Sequence, residues 1–176
     1  MIQCPACRSL QHHGPLQIHM EPGIDGKFTR YRCSDCGVEF WTPLVMPPST
    51  YYEHAGGDYE EFHDHGSKTI KWWHSTFIKT FPRLTKKGRV LDIGCADGRL
   101  LLELKNRGWE VYGIDFDRRS IEVAKKLCGT DSFQACTLEE FIGTVPPHSF
   151  DLITFFEVLE HQPDPIQFFE QVKTLL

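Results

Sequence analysis

Two carboxylates and two glycines carry the most specific chemistry in this 176-residue chain. Gly94 and Gly98 bracket the turn Gly94-Cys95-Ala96-Asp97-Gly98, where a backbone without Cβ atoms can bend sharply and come close to a ligand. Asp92 stands just before the turn, where a carboxylate repels a diphosphate and can pair with a cationic ligand. Asp115 lies 21 residues beyond Gly94, at the C-terminal end of the next strand, placed to accept hydrogen bonds from both hydroxyls of a ribose. The bland alternative for Asp115 is a helix cap, but Asp117 is better placed for that ahead of Arg118–Leu127. Ala96 replaces the middle glycine of a G-x-G-x-x-G fingerprint, so the turn disfavours NAD.

A second chemistry belongs to four of the seven cysteines. Cys4-Pro5-Ala6-Cys7 and Cys33-Ser34-Asp35-Cys36 form two C-x-x-C knuckles with 25 residues between them, and four thiolates so arranged can close a tetrahedral site. Structural zinc leads, ahead of rubredoxin-type iron, a redox pair and a disulfide framework. Such a site would clip together a small β-ribbon that could not otherwise bury a core. With the shell filled by sulfur, His12 and His13 read as solvated loop residues. Arg30, Tyr31 and Arg32 read as the surface of the ribbon rather than a nucleic-acid face. Cys95, Cys128 and Cys136 read as small buried residues.

The elements that must position these groups follow from periodicity. The apolar run Val90, Leu91, Ile93 leads through the glycine turn into an amphipathic run at Leu100, Leu101 and Leu104, which is strand, turn, helix. Gly108 is placed to end that helix. A second strand spans Glu110–Asp115. A second helix turns Ile121, Ala124 and Leu127 inward and ends at Gly129. A third strand covers about Ser132–Cys136, and the near-continuous apolar run Phe150–Phe156 makes a fourth, as a strand covered on both faces requires. Asp164 then caps a last helix with Pro165 at its first position and Ile166, Phe169, Val172 and Leu176 turned inward. Upstream, Pro43, Pro47 and Pro48 mark a linker. Thr69–Leu84 reads as a helix with Ile70, Trp73, Phe77, Ile78 and Phe81 on its core side, and His54, His63 and His65 read as a polar lid, with a base or metal ligands as the alternative.

The turn resembles motif I of the class I S-adenosylmethionine (AdoMet)-dependent methyltransferases, close to hydrophobic-D-x-G-C-G-x-G. Cys95 and Gly98 match it, and Ala96 departs from it. The succession Y-R-C-S-D-C-G-V-E-F, then prolines, then Tyr51-Tyr52 is similar to a bacterial group in which a zinc ribbon precedes that domain. S-F-D-L-I followed by E-V-L-E-H resembles the ubiquinone-biosynthesis type. The resemblance implies cofactor contacts at Asp92, Gly94, Cys95, Ala96, Gly98, Asp115 and Phe116. It also implies adenine contacts at Cys136, Thr137 and Leu138, with Glu139 as a substitute acidic side chain, and a crevice lined by Phe156 and Glu157. A capping helix in the family suggests that Tyr51, Tyr52 or the Trp72–Trp73 pair borders the pocket. His161 is the one candidate base, with a helix-capping or packing histidine as the equal alternative.

The expectation is therefore an α/β chain with a Rossmann-like, doubly wound, mostly parallel sheet, incomplete with strands one to four, preceded by a zinc-ribbon β module. Its segments are a ribbon over 1–46, with metal ligands Cys4, Cys7, Cys33 and Cys36, a linker and helical cap over 47–87, and a methyltransferase region over 88–176. The family continues beyond a fourth strand, so a chain longer than this one is expected. The cofactors are AdoMet and structural zinc. The function is methyl transfer by direct displacement to a small-molecule acceptor with an O, N or C nucleophile. A zinc-ribbon rRNA methyltransferase and a non-catalytic AdoMet-binding scaffold are the alternatives. Residues 88–176 hold 9 Lys and Arg against 15 Asp and Glu within a net charge of −5, which weighs against a broad nucleic-acid footprint. With no signal peptide and no membrane-length apolar run, the expected location is cytoplasmic.

Overall fold

The computed structural model describes residues 1–20, 26–45, 66, 68–81 and 87–176. Tyr51, Tyr52, His54, His63, His65 and the prolines at 47 and 48 lie outside the described residues. The chain divides into two compact units, Met1–Pro47 with Leu159–Glu170, and Pro48–Val158 with Gln171–Leu176.

The first unit holds a three-stranded antiparallel sheet in the order β1 (His12–Met20), β2 (Lys27–Cys33), β3 (Glu39–Thr42). Among the described residues the sheet's buried cluster is small: Cys4, Cys33 and Phe40, with Ile2 and Tyr31 packed against them. So few apolar contacts cannot offset the entropy of ordering the ribbon. His12 and His13 are not loop residues, contrary to expectation. They pair in register with Cys33 and Arg32 at the start of β1, and the His12 ring packs edge-on against Tyr31 with centroids 4.8 Å apart. Pairing with β2 extends the strand past the point where local polarity alone reads as loop. On the ribbon, Arg32 pairs with Glu39, and Arg30 lies over the Trp41 ring at 5.8 Å.

The second unit is built on a parallel sheet of order β6-β5-β4-β7, from β4 (Arg89–Ile93), β5 (Glu110–Asp115), β6 (Phe133–Ala135) and β7 (Leu152–Thr154). The connecting helices are α2 (Arg99–Asn106), α3 (Arg118–Cys128) and α4 (Leu138–Ile142). A helix α1 (Trp72–Thr80) precedes the sheet; later in the chain come a 3₁₀ turn (Leu159–His161), which falls in the first unit, and α5 (Pro165–Leu175), whose residues to Glu170 do as well. Val90 and Leu91 are fully buried in the central strand. Leu100, Leu101 and Leu104 of α2 meet Ile121, Ala124 and Cys128 of α3 in the same core as Phe133. This is the Rossmann-like α/β sheet the sequence predicts.

Several boundaries differ from expectation. The fourth strand is three residues long instead of spanning Phe150–Phe156, because the chain leaves the sheet at Phe155 for a turn. Helix α1 is shorter than Thr69–Leu84 within the described residues, and it exposes Trp72. In α3 the buried position is Cys128 rather than Leu127, and Cys136 is only half-buried. In α5 the buried face is Phe168, Val172 and Leu175, while Phe169 and Leu176 are exposed. Those positions recur at i, i+4 and i+7, and the expected set shared only Val172 with them, a phase error on a helix with apolar residues on two sides.

Gly113 in β5 is demanded by packing. A Cβ there would lie 2.6 Å from Phe133 Cδ1 and 2.7 Å from Cys95 Sγ. Gly113→Ala is expected to destabilise the chain by about 2–3 kcal/mol in urea unfolding, since the overlap falls on well-ordered core atoms.

Candidate functional site

The site in the second unit grows from the junction of β4 and β5. The N–H groups of Gly94 and Cys95 both donate to the Ile114 carbonyl, at 2.8 and 3.0 Å. Gly94 and Gly98 take left-handed backbone, φ +72° and +73°, and so does Ala96 at +48°. A Cβ on Gly94 would lie 2.5 Å from Val158 Cγ2, so this glycine answers to both backbone and space. The Gly98 N–H closes the turn onto Cys95 O at 2.9 Å, and α2 begins at the next residue. The first N–H groups of that helix face the same end of the sheet as Asp115.

Asp115 ends β5 with both oxygens engaged. Oδ2 accepts the Ala96 N–H and Oδ1 the Asp117 N–H, each at 2.9 Å. Burial raises its pKa, and these backbone donors oppose the rise. A carboxylate has about four acceptor positions, so capacity remains for a diol. Asp117 carries out the capping role: its Oδ1 accepts from the Arg119 N–H at 3.0 Å. Phe116 is half-buried between the two.

Asp92 is only 3% exposed, and its Oδ1 accepts the Thr154 hydroxyl at 2.6 Å across the β4–β7 pair. Burial pushes its carboxyl up to about 7; the Thr154 hydrogen bond opposes that rise and the Asp115 charge adds to it. Thr154 escaped the sequence reading, although it is the one hydroxyl in the apolar run Leu152–Phe156. Asp97 was also missed as a site residue. It is buried, with Oδ1 accepting the Arg99 N–H at 3.2 Å. Cys95 is buried beneath the turn, and burial, followed by the Asp115 charge, holds its thiol well above the ordinary value.

At the rim, Cys136 N–H donates to Asp115 O at 3.0 Å and Thr137 N–H to Glu140 Oε2 at 2.8 Å. Two of the three amides expected for adenine are thus committed, the second in a capping box at the start of α4. Buried Leu138 follows directly. Glu139 is exposed and accepts from Gln171 Nε2 at 3.4 Å. Phe156 is half-buried under α1, its ring 4.9 Å from His74 and 5.6 Å from Phe77. Glu157 is exposed in left-handed backbone at φ +56°, a strained turn right after the sheet. His74, absent from the sequence reading, has Nδ1 buried without a hydrogen-bond partner, and desolvation lowers its pKa against the pull of Asp97. His161 ends the 3₁₀ turn, half-buried, and belongs to the other unit.

The first unit carries its own centre. The sulfurs of Cys4, Cys7, Cys33 and Cys36 lie within 4.8 Å of one another, with Cys4–Cys36 at 3.6 Å and Cys7–Cys33 at 3.5 Å. A tetrahedral ion bound at about 2.3 Å from each sulfur sets them about 3.8 Å apart, so the four thiols fit one zinc-sized ion. The Cys36 N–H, joined by that of Asp35, draws the Cys33 thiol down to about 6, while the Cys7 thiol beside it is pushed up to about 12.

Among the described residues, no helix is long and apolar enough to cross a membrane. The profile described as "Methyltransferase domain" matches residues 67–176. The ubiquinone biosynthesis O-methyltransferase of Paraburkholderia phymatum is 32% identical over 147 residues, covering 81% of this chain and 55% of that protein. The same-named protein of Neisseria meningitidis is 39% identical over 82 residues, 44% of this chain and 34% of its own length. The chain thus spans about half, or less, of the curated relatives it matches. A SAM-dependent methyltransferase structure from Archaeoglobus fulgidus superposes with a TM-score of 0.49 at 24% identity, over 59% of this chain and 47% of that one.

Asp92 gives the site a pH signature. Its folded pKa lies above the unfolded value near 3.9, so the native state binds the extra proton between about pH 4 and 7 and stability falls as pH rises through that window. Asp92→Asn is expected to flatten this slope, by at most about 1.4 kcal/mol per pH unit, in urea unfolding measured from pH 4 to 8. The Methyltransferase domain profile spans well over half of the sequence and falls on the glycine turn and both carboxylates, so the chain belongs to the methyltransferase domain family.

Proposed function

We propose that the chain binds AdoMet at the β4–β5 junction and serves methyl transfer to a small-molecule acceptor. The observation that carries this reading is the Asp115 carboxylate, oriented by the Ala96 and Asp117 N–H groups beside a turn with Ala96 in place of the middle glycine of a dinucleotide fingerprint. Bound AdoMet supplies a methyl group activated on a sulfonium. Held by Asp115 and the glycine turn, it would offer that carbon to an acceptor nucleophile with the sulfur as leaving group, the nucleophile's proton passing to solvent. The chain's part is alignment and exclusion of water.

Asp115 holds the ribose hydroxyls. Asp92, close behind the turn, adds a negative field that suits a cation and grows as its carboxyl ionises near pH 7. Phe156 and Phe77 supply an apolar wall at the crevice. His161 stands as the proposed base on sequence grounds alone. The names of the curated relatives favour a hydroxyl as the acceptor group. We further propose that the four cysteines hold a structural zinc that supplies the ribbon with the stability its small core lacks.

Calorimetric titration of the purified chain tests the donor. AdoMet is expected to bind and NADH not to. Asp115→Ala should weaken AdoMet at least tenfold by removing two charge-assisted hydrogen bonds, with far-UV circular dichroism confirming the fold. Equal affinity in the variant would sink the ribose assignment, and binding of NADH instead would sink the donor.

A further inference from the structure

The two knuckles of the ribbon are built alike with one exception. In each, the residue after the second cysteine takes left-handed backbone and donates its N–H to the carbonyl of the first cysteine. Gly37, at φ +76°, donates to Cys33 O at 3.1 Å, and Arg8, at φ +64°, donates to Cys4 O at 2.9 Å. Glycine takes that conformation freely, whereas a side chain takes it against steric cost. Strain of this kind persists where the surrounding structure over-determines it.

The Arg8 side chain shows what determines it. Its Nη2 donates to both oxygens of Asp164, at 2.8 and 2.7 Å, across 156 residues of sequence. Asp164 is also the cap of α5, where its Oδ1 accepts the Gln167 N–H at 3.1 Å. The guanidinium, with that cap bond, holds the Asp164 carboxyl below its ordinary range. The segment reached in this way, Leu159–Glu170, belongs to the same compact unit as the ribbon. It contains the 3₁₀ turn with His161 and the first turns of α5.

We propose that Arg8 is a positioning residue that latches segment 159–170 to the first knuckle, so that a metal at the four cysteines orders this segment as well as the ribbon. The metal dependence rests on the zinc reading above, while the latch itself does not. Glycine at position 8 would relieve the backbone and serve the knuckle equally well, as Gly37 does in its sister. Only the ion pair requires arginine.

Hydrogen exchange read by mass spectrometry on the full chain separates these roles, alongside zinc content per chain. Arg8→Gly removes the latch and relaxes the knuckle. Asp164→Asn removes the charge but keeps an acceptor at the helix cap. Each is expected to speed exchange in 159–170 roughly three- to tenfold, with one zinc per chain retained, the peptides over 27–42 unchanged in both and those over 1–20 unchanged in Asp164→Asn. The double variant should be no faster than either single one. Chelation of the parent chain should speed both the ribbon and 159–170. Parent-like exchange in 159–170 for both variants overturns the latch. Chelation that frees the ribbon alone, or a chain that binds no zinc, overturns the metal dependence. An AdoMet titration of the same samples judges the donor separately.

Discussion

One carbonyl organises the second unit. Ile114 O accepts two N–H groups, from Gly94 and Cys95, and so ties the end of β4 to the end of β5. With two successive N–H groups on one acceptor the chain turns at once, and three residues of the turn sit at positive φ. It also brings the Ala96 N–H to the Asp115 carboxylate. The glycine turn and the carboxylate are therefore a single hydrogen-bonded structure, and neither can shift without the other. Beneath it, Gly113 leaves the space that Cys95 and Phe133 fill, so the floor of the site is core packing.

Charge is distributed by depth. Asp92 is sealed behind the turn with one hydroxyl partner, and its proton is held up to about pH 7. Asp115, half-buried at the end of β5, receives backbone donors that moderate the same effect. Two carboxylates close to each other thus differ in environment, one suited to a field and the other to direct hydrogen bonding. An exposed pair would be screened and would discriminate weakly.

The first unit solves a different problem. Among the described residues the ribbon's buried cluster is Cys4, Cys33 and Phe40, so its apolar core overlaps the four cysteines proposed to hold a metal. Coordination can replace the hydrophobic burial that a ribbon of this size lacks. The Arg8–Asp164 pair brings residues from late in the chain into the same unit, a partnership of 156 residues' separation that no local pattern encodes.

Much of this was legible in the sequence. The glycine turn, Asp115 at its strand end, Asp117 as a cap and the paired knuckles are set by local rules, because turn geometry, capping and ligand spacing act over a few residues. The parallel sheet followed from strand and helix alternation. Other features depended on which strand lies beside which. Thr154 matters only because β7 pairs with β4 in the register that puts it opposite Asp92. Gly113 matters only because Phe133 and Cys95 converge on it. His12 became a strand residue through pairing with β2, and the phase of α5 was chosen by the surface it covers. The sequence by itself determined the local devices, since each is encoded within a short window. The tertiary structure decided the environment of each charge, because burial and hydrogen-bond partners come from distant residues.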